Sequence, residues 1–227
     1  MSLFQSAATI LTKEIRTEFR TRELLTTTIV FSLMIVVLFS FTFEPSAAES
    51  QRIGGGLLWI AFLFAGSLML HPSFMREQAN ETLSALRMAP IEPFAILLGK
   101  LLANFLFLFL TELLLLPIFA VFYDVHLLPL TSRLLPLLFV LILGTLGLVS
   151  AGTVFAAISA HARMRELLLP VLLLVVLTPV LISAALATSS LLADQPELPR
   201  TAVALLAAFD VVFLTATWLF GEYLFEE

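Results

Sequence analysis

Apolar residues fill six long runs of the chain, and polar residues gather in the short stretches between them. The runs are Thr26–Phe43, Gly55–Leu70, Phe94–Phe122, Leu134–Ala160, Leu167–Leu191 and Thr201–Gly221. A helix needs about 20 mainly apolar residues to cross the ~30 Å hydrocarbon core of a bilayer. Each run therefore reads as a span, the second one short unless it continues past His71, where Pro72 marks an exit from the bilayer. The connections are too brief to hold a soluble domain. The pattern predicts an all-α integral membrane protein, with residues 1–227 forming one six-span domain.

Two polar stretches carry a pattern of their own. In residues 1–25, Phe4, Ala8, Leu11, Ile15 and Phe19 recur at steps of three and four, which is one stripe of a helix. Lys13, Arg16, Arg20 and Arg22 fall mostly off that stripe. Such a helix lies in the headgroup plane, apolar side down, with its basic residues near anionic lipid. In residues 72–93, Met75, Ala79, Leu83 and Leu86 form a second stripe, and Arg76, Asn80, Glu81, Ser84 and Arg87 surround it. Pro90 and Pro93 then stop the helix and re-aim the chain. A short amphipathic helix held between two spans is suited to docking on another protein.

Composition agrees with lipid as the main solvent. Of 227 residues, 60% are hydrophobic and 13% charged, about half the charged share of a soluble domain. The run Phe43–Ser50 offers small residues after an apolar segment, but the N-terminal stretch is too long and too rich in Glu for a signal peptide. The first run is read as a retained helix. Net charge is −5, yet placement of the cations says more than the sum. With the N-terminus inside, Lys13, Arg16, Arg20, Arg22, Arg76, Arg87, Lys100, Arg163 and Arg165 are internal. Only Arg52, Arg133 and Arg200 are external, so the positive-inside rule predicts both termini in the cytoplasm.

Catalytic signatures are missing from the sequence. It has no Cys, no Gly-x-Ser-x-Gly and no His-Glu-x-x-His. His71, His126 and His161 fall on alternating sides of the bilayer. The triplet Gly54–Gly56 is no phosphate loop, and Gly99–Lys100 lacks the upstream Gly and following Ser or Thr of one. No catalytic residue, metal site or directly bound cofactor is expected, nor any nucleic-acid partner. Energised work would draw on a partner or an ion gradient.

Glu112 and Asp210 fall inside the third and sixth runs. A carboxylate at the centre of a span costs roughly 3 kcal/mol on insertion scales. Counted from the outer ends of their runs, both lie about 15 Å deep. Two readings stay open: they line a pathway or gate, within reach of a shared cavity, or they are buried, neutral and structural, whether protonated, hydrogen-bonded to Thr111, Thr215 or Thr217, or open to water. Separately, Gly147 and Ala151, and Gly152, Ala156 and Ala160, repeat at four-residue intervals in the fourth run, which predicts close helix packing within the subunit or between two copies.

The stretch "RE" followed by "TLSALRMAP" and "LLGK", between Arg76 and Lys100, resembles the coupling region of ABC-2-type permeases. Three further features agree: "KEIRTEFRTRELL" (Lys13–Leu25), "RIGGGLLWIAFLFAGSLML" (Arg52–Leu70) and the short later loops. With them the chain resembles, end to end, the permease family of the haem exporter in bacterial cytochrome c maturation. Glu81, preceded by Asn80, stands where members of that family commonly have a Gly. The resemblance implies a type V exporter-like fold in the bacterial cytoplasmic (inner) membrane. It also implies ATP hydrolysis by a separate cytoplasmic subunit docked on Arg76, Glu77, Glu81, Thr82, Leu83, Leu86, Arg87 and Pro90. Further implied partners are a haem-handling membrane subunit with a Trp-rich motif, and a second copy of this chain. Haem is the implied cargo, carried across or released with its chaperone. Two other readings stay open on the residues alone: an ABC-2 permease for lipid, polysaccharide or drug, and a gradient-driven transporter using Glu112 and Asp210. A scaffold without transport is a third.

Overall fold

A computed structural model describes residues 3–43, 47–79, 92–125, 130–159, 165–193 and 195–221. These form seven α-helices: α1 (Leu3–Thr21), α2 (Glu23–Phe43), α3 (Ala47–Ala79), α4 (Pro93–Phe122), α5 (Leu135–Ser159), α6 (Arg165–Leu192) and α7 (Arg200–Gly221). One π-helical turn, Leu130–Leu134, leads into α5. No strand occurs among the described residues. Six helices, α2 to α7, are long and apolar enough to cross a membrane.

The expected runs are recovered with shifted ends. The first begins at Glu23 rather than Thr26, and the stretch read as one helix through Leu25 is divided. At the division Arg22 adopts a φ of 56°, and its N–H donates to Glu18 O at 2.6 Å. This left-handed residue with a five-to-one bond is a standard helix stop, and it leaves one non-helical residue between α1 and α2. The second span ends at Leu70 as expected and begins at Arg52, 19 residues in all, but the helix that carries it is longer. Its helix passes through His71 and Pro72 to Ala79, 33 residues in all, so residues 72–79 prolong α3 instead of starting a separate element. At ~1.5 Å per residue α3 is about 50 Å long, more than the ~30 Å hydrocarbon core, so it projects beyond the bilayer.

Lipid cannot drive helices together by hydrophobicity, so close packing of small residues must do so. Helices α3 and α5 form the centre, with 61% and 56% of their apolar stretches buried, against 17% and 22% for α2 and α7. Along α2, Val30, Met34, Leu38 and Phe41 form an exposed stripe, as a lipid-facing side requires. Between α3 and α5 the surfaces interlock. The indole of Trp59 lies over Gly144, where it would overlap any Cβ. Leu148 fills the space at Gly66, and Leu70 the space at Gly152. Gly55 lets α3 approach α6 until a Cβ would stand 2.6 Å from the Ala185 carbonyl oxygen. The indole N–H of Trp59 then donates to Thr188 Oγ1 at 2.9 Å, joining α3 to α6. Gly147 and Gly152, read as packing residues, do pack within the subunit, but against different neighbours.

The ends opposite Lys100 are tied by polar contacts. Arg133 donates to the Ala193 carbonyl at 3.0 Å, and the Tyr123 hydroxyl donates to the Val36 carbonyl at 3.2 Å. Arg133 is one of the three arginines placed outside by the charge pattern, and this bond uses it to close α5 against the end of α6.

Candidate functional site

Helix α4 offers only four side chains with polar atoms in 30 residues: Lys100, Asn104, Thr111 and Glu112. All four are buried. In lipid this is what desolvation requires, since a polar group facing hydrocarbon has no partner. The helix therefore turns its chemistry inward at two levels, one at its first turns and one near its middle.

At the first level α1 lies against α4. Three faces of α1 can be told apart. Ala7 and Ile10 are buried, and Gly99 admits them so closely that a Cβ there would lie 2.8 Å from Ile10 Cβ and 2.9 Å from the Ala7 carbonyl oxygen. Phe4 and Phe19, the ends of the expected stripe, are 77% and 66% exposed and rotated away from that contact. Lys13, Arg16 and Arg20 occupy a third, exposed side, with Arg22 exposed just beyond the helix. Of the expected stripe, Phe4, Ala8 and Phe19 are exposed, whereas Leu11 and Ile15 pack against the core; the pattern also missed the face that packs on α4. That face combines Ser6, Ala7 and Ile10 with two glutamates, and hydrophobic periodicity does not register its polar members.

The glutamates hold the junction. Glu14 Oε1 lies 3.3 Å from the ammonium of fully buried Lys100 and 3.1 Å from that of Lys13. Burial opposes ionisation of Glu14, but attraction to Lys100 and then to Lys13 outweighs it, holding the carboxyl below its ordinary value of 4.5. One turn on, buried Glu18 accepts the Leu25 N–H at 2.8 Å through Oε1. Leu25 is the third residue of α2, whose first N–H groups have no partner inside the helix. Glu18 thus caps α2 from the preceding helix. A lone Lys inside the third run was the one signal in the sequence that an acidic partner must exist.

At the second level, Glu112 Oε2 accepts a hydrogen bond of 2.6 Å from Thr145 of α5. Its Oε1 has no hydrogen-bond partner, and neither oxygen of buried Asp210 has one. Asp210 Oδ1 sits 2.9 Å from where a Cβ of Gly147 would be, so that glycine makes its space. Thr145 and Gly147 are two residues apart, about 200° around the helix and ~3 Å along it. The two carboxyls therefore share a depth, as expected, but α5 stands between them. The expected threonine neighbours are otherwise engaged: Thr111, Thr215 and Thr217 each donate to a carbonyl one turn back in their own helix.

Of the expected docking residues, Arg76 and Glu77 lie on the last turns of α3. Glu81, Thr82, Leu83, Leu86, Arg87 and Pro90 fall outside the described residues.

Known proteins share this pattern over nearly the whole chain. Residues 5–220 match the family described as "CcmB protein". The chain is 33% identical over 211 residues to "Heme exporter protein B" of Pseudomonas aeruginosa, covering 92% of this chain and 91% of that one. It is 31% identical over 185 residues to the protein of the same name from Paracoccus denitrificans, covering 81% and 82%. With the Rhodobacter capsulatus protein of that name it shares 34% identity over 155 residues, 68% and 69% of the two chains.

Proposed function

Because the chain belongs to the CcmB protein family, we propose that it is the membrane permease subunit of haem export in bacterial cytochrome c maturation, working with ATP hydrolysed on a separate subunit. It is a multi-pass protein of the bacterial inner membrane. The observation that carries the reading is the end-to-end match to "Heme exporter protein B", nine-tenths of both chains, in a chain with six membrane-crossing helices.

Its parts take the following roles. The ATP-binding subunit docks on the stretch from Arg76 to Pro90, with Leu83 and Leu86 as apolar contacts and Arg76, Glu77, Glu81, Thr82 and Arg87 around them. Chemistry resides in that partner, and a pair of such subunits faces two copies of this chain. A haem-handling membrane subunit completes the complex, since this chain has only two Trp and one of them, Trp59, is committed to Thr188. Glu112 and Asp210 line a pathway or gate on either side of α5, because each keeps unpaired oxygen atoms in a place where lipid supplies none. Lys13, Arg16, Arg20 and Arg22 meet lipid headgroups while Phe4 and Phe19 enter the acyl boundary.

The test is purification of the tagged chain from its native membrane in mild detergent, with identification of partners by mass, an ATPase assay and a haem absorption spectrum. An ATPase with a Trp-rich haem-handling subunit is expected. An ATPase with neither haem nor that subunit would keep the permease and discard the cargo. No ATPase in a preparation that preserves other membrane complexes would overturn the reading.

A further inference from the structure

The junction of α1 with α2 and α4 contains more than packing needs. Glu14 and Glu18 stand one turn apart on α1, and each leaves the helix for a different span. Glu14 meets Lys100 of α4 at 3.3 Å, and Glu18 takes the Leu25 N–H of α2 at 2.8 Å. Gly99, beside Lys100, removes the side chain that would otherwise hold α1 off α4. Arg22 joins α1 to α2 with no further non-helical residue, so the connection has no slack.

A helix held to a membrane by lipid alone can turn about its axis and slide. This one cannot do either without parting a buried ammonium from its carboxylate and uncapping the first turn of α2. Buried ion pairs add little net stability, because desolvation offsets attraction, yet separating the partners is heavily penalised. Such a pair suits a joint that must keep its geometry under load.

We propose that Glu14, Glu18 and Lys100 form a bracket that makes α1, the start of α2 and the first turns of α4 one rigid body throughout turnover. They are positioning residues for ATP-driven transport, and the inference rests on the permease reading. Helix α4 starts at Pro93, directly after the proposed docking stretch. A displacement entering there reaches Lys100 within two turns, and the bracket passes it through α1 to α2. The first and third spans then move together.

The chain has no Cys, so a cross-link can be placed without background. In the complete complex, Ile10→Cys with Gly99→Cys is oxidised to a disulfide, and ATP-dependent cytochrome c maturation is compared before and after reduction. A joint that stays closed predicts the same activity in both states. Activity lost on locking and restored by reduction would overturn the proposal. A second measurement covers the case in which a side chain at Gly99 is not accommodated. Glu14→Lys and Lys100→Glu are made singly and together, with cytochrome c formed per ATP hydrolysed as the readout and complex yield as the check on folding. Each single change should lower that ratio at least about fivefold, and the double swap should recover most of it. Single variants that assemble and couple like the wild type would also overturn the bracket. A wild-type complex without ATP-dependent activity would instead strike at the permease reading, so the two failures are separable.

Discussion

Glu112 and Asp210 stand at the same depth on opposite sides of α5, one against Thr145 and the other beside Gly147. The helix between them makes two separate polar positions, which predicts that the carboxyls act independently.

Independence can be measured. Glu112→Gln and Asp210→Asn should each impair transport without preventing assembly, and the double variant should show the product of the two effects, additive in free energy to within about 0.5 kcal/mol. Transport assays on the three variants decide it. A double variant no worse than either single one would mean that the two groups serve one step.

Thr145→Val removes the one hydrogen bond of Glu112 and leaves a buried acceptor without a donor. The expected loss of thermal stability corresponds to about 1–3 kcal/mol, and Thr145→Ser should recover most of it. Melting of the purified complex in detergent reads both.

Helix packing at the centre predicts a contrast between glycines. A Cβ at Gly144 would overlap the buried Trp59 ring, whereas Gly56 has nothing within 4 Å. Gly144→Ala should destabilise by about 1–3 kcal/mol through overpacking. Gly56→Ala should be neutral or slightly favourable, since Ala suits a helix better than Gly by about 1 kcal/mol. Unfolding monitored by Trp fluorescence compares them.

Acid should loosen α1. The Glu14 carboxyl is held below its ordinary value of 4.5. A depressed value in the folded protein means that its contribution is fully present above pH 4.5 and fades as pH falls through the lower, folded value. Protease access to residues near Arg22 should therefore rise on acidification below pH 4.5 in the wild type and be flatter in Glu14→Gln.

The docking stretch yields a prediction at single residues. Leu83→Asp or Arg87→Glu should release the ATP-binding subunit while leaving membrane insertion intact. Co-purification from membranes reads the first, and carbonate extraction the second. Normal association in both variants would remove the stretch from the interface.

Much of this architecture was legible because lipid imposes a simple rule on sequence. Runs of Leu, Phe, Val and Ile marked all six spans, and the single-sided charge of residues such as Arg16 and Arg20 marked α1. The depth of Glu112 and Asp210 followed from counting residues. Their separation did not, because it depends on which side of α5 each neighbouring helix occupies, and that is set by Gly144, Gly147 and Gly152 admitting particular side chains. The length of α3 was left open. Pro72 looks like an end, but a helix leaving the bilayer can retain it where freed backbone groups find other partners. Glu14 and Glu18 were hidden for a third reason: on a surface helix, acidic residues look solvated until the helix they touch is known.

The inward turn of every polar residue in α4 bears on the order in which the protein can be made. Lys100 finds its acid 86 positions earlier in the chain, already synthesised when the third span leaves the ribosome. Glu112 depends on a threonine 33 positions later, which is about the length of the next span and its loop. The partner of the cation in α4 is thus already made when that span emerges, whereas the hydrogen-bond donor of its acid arrives only with α5.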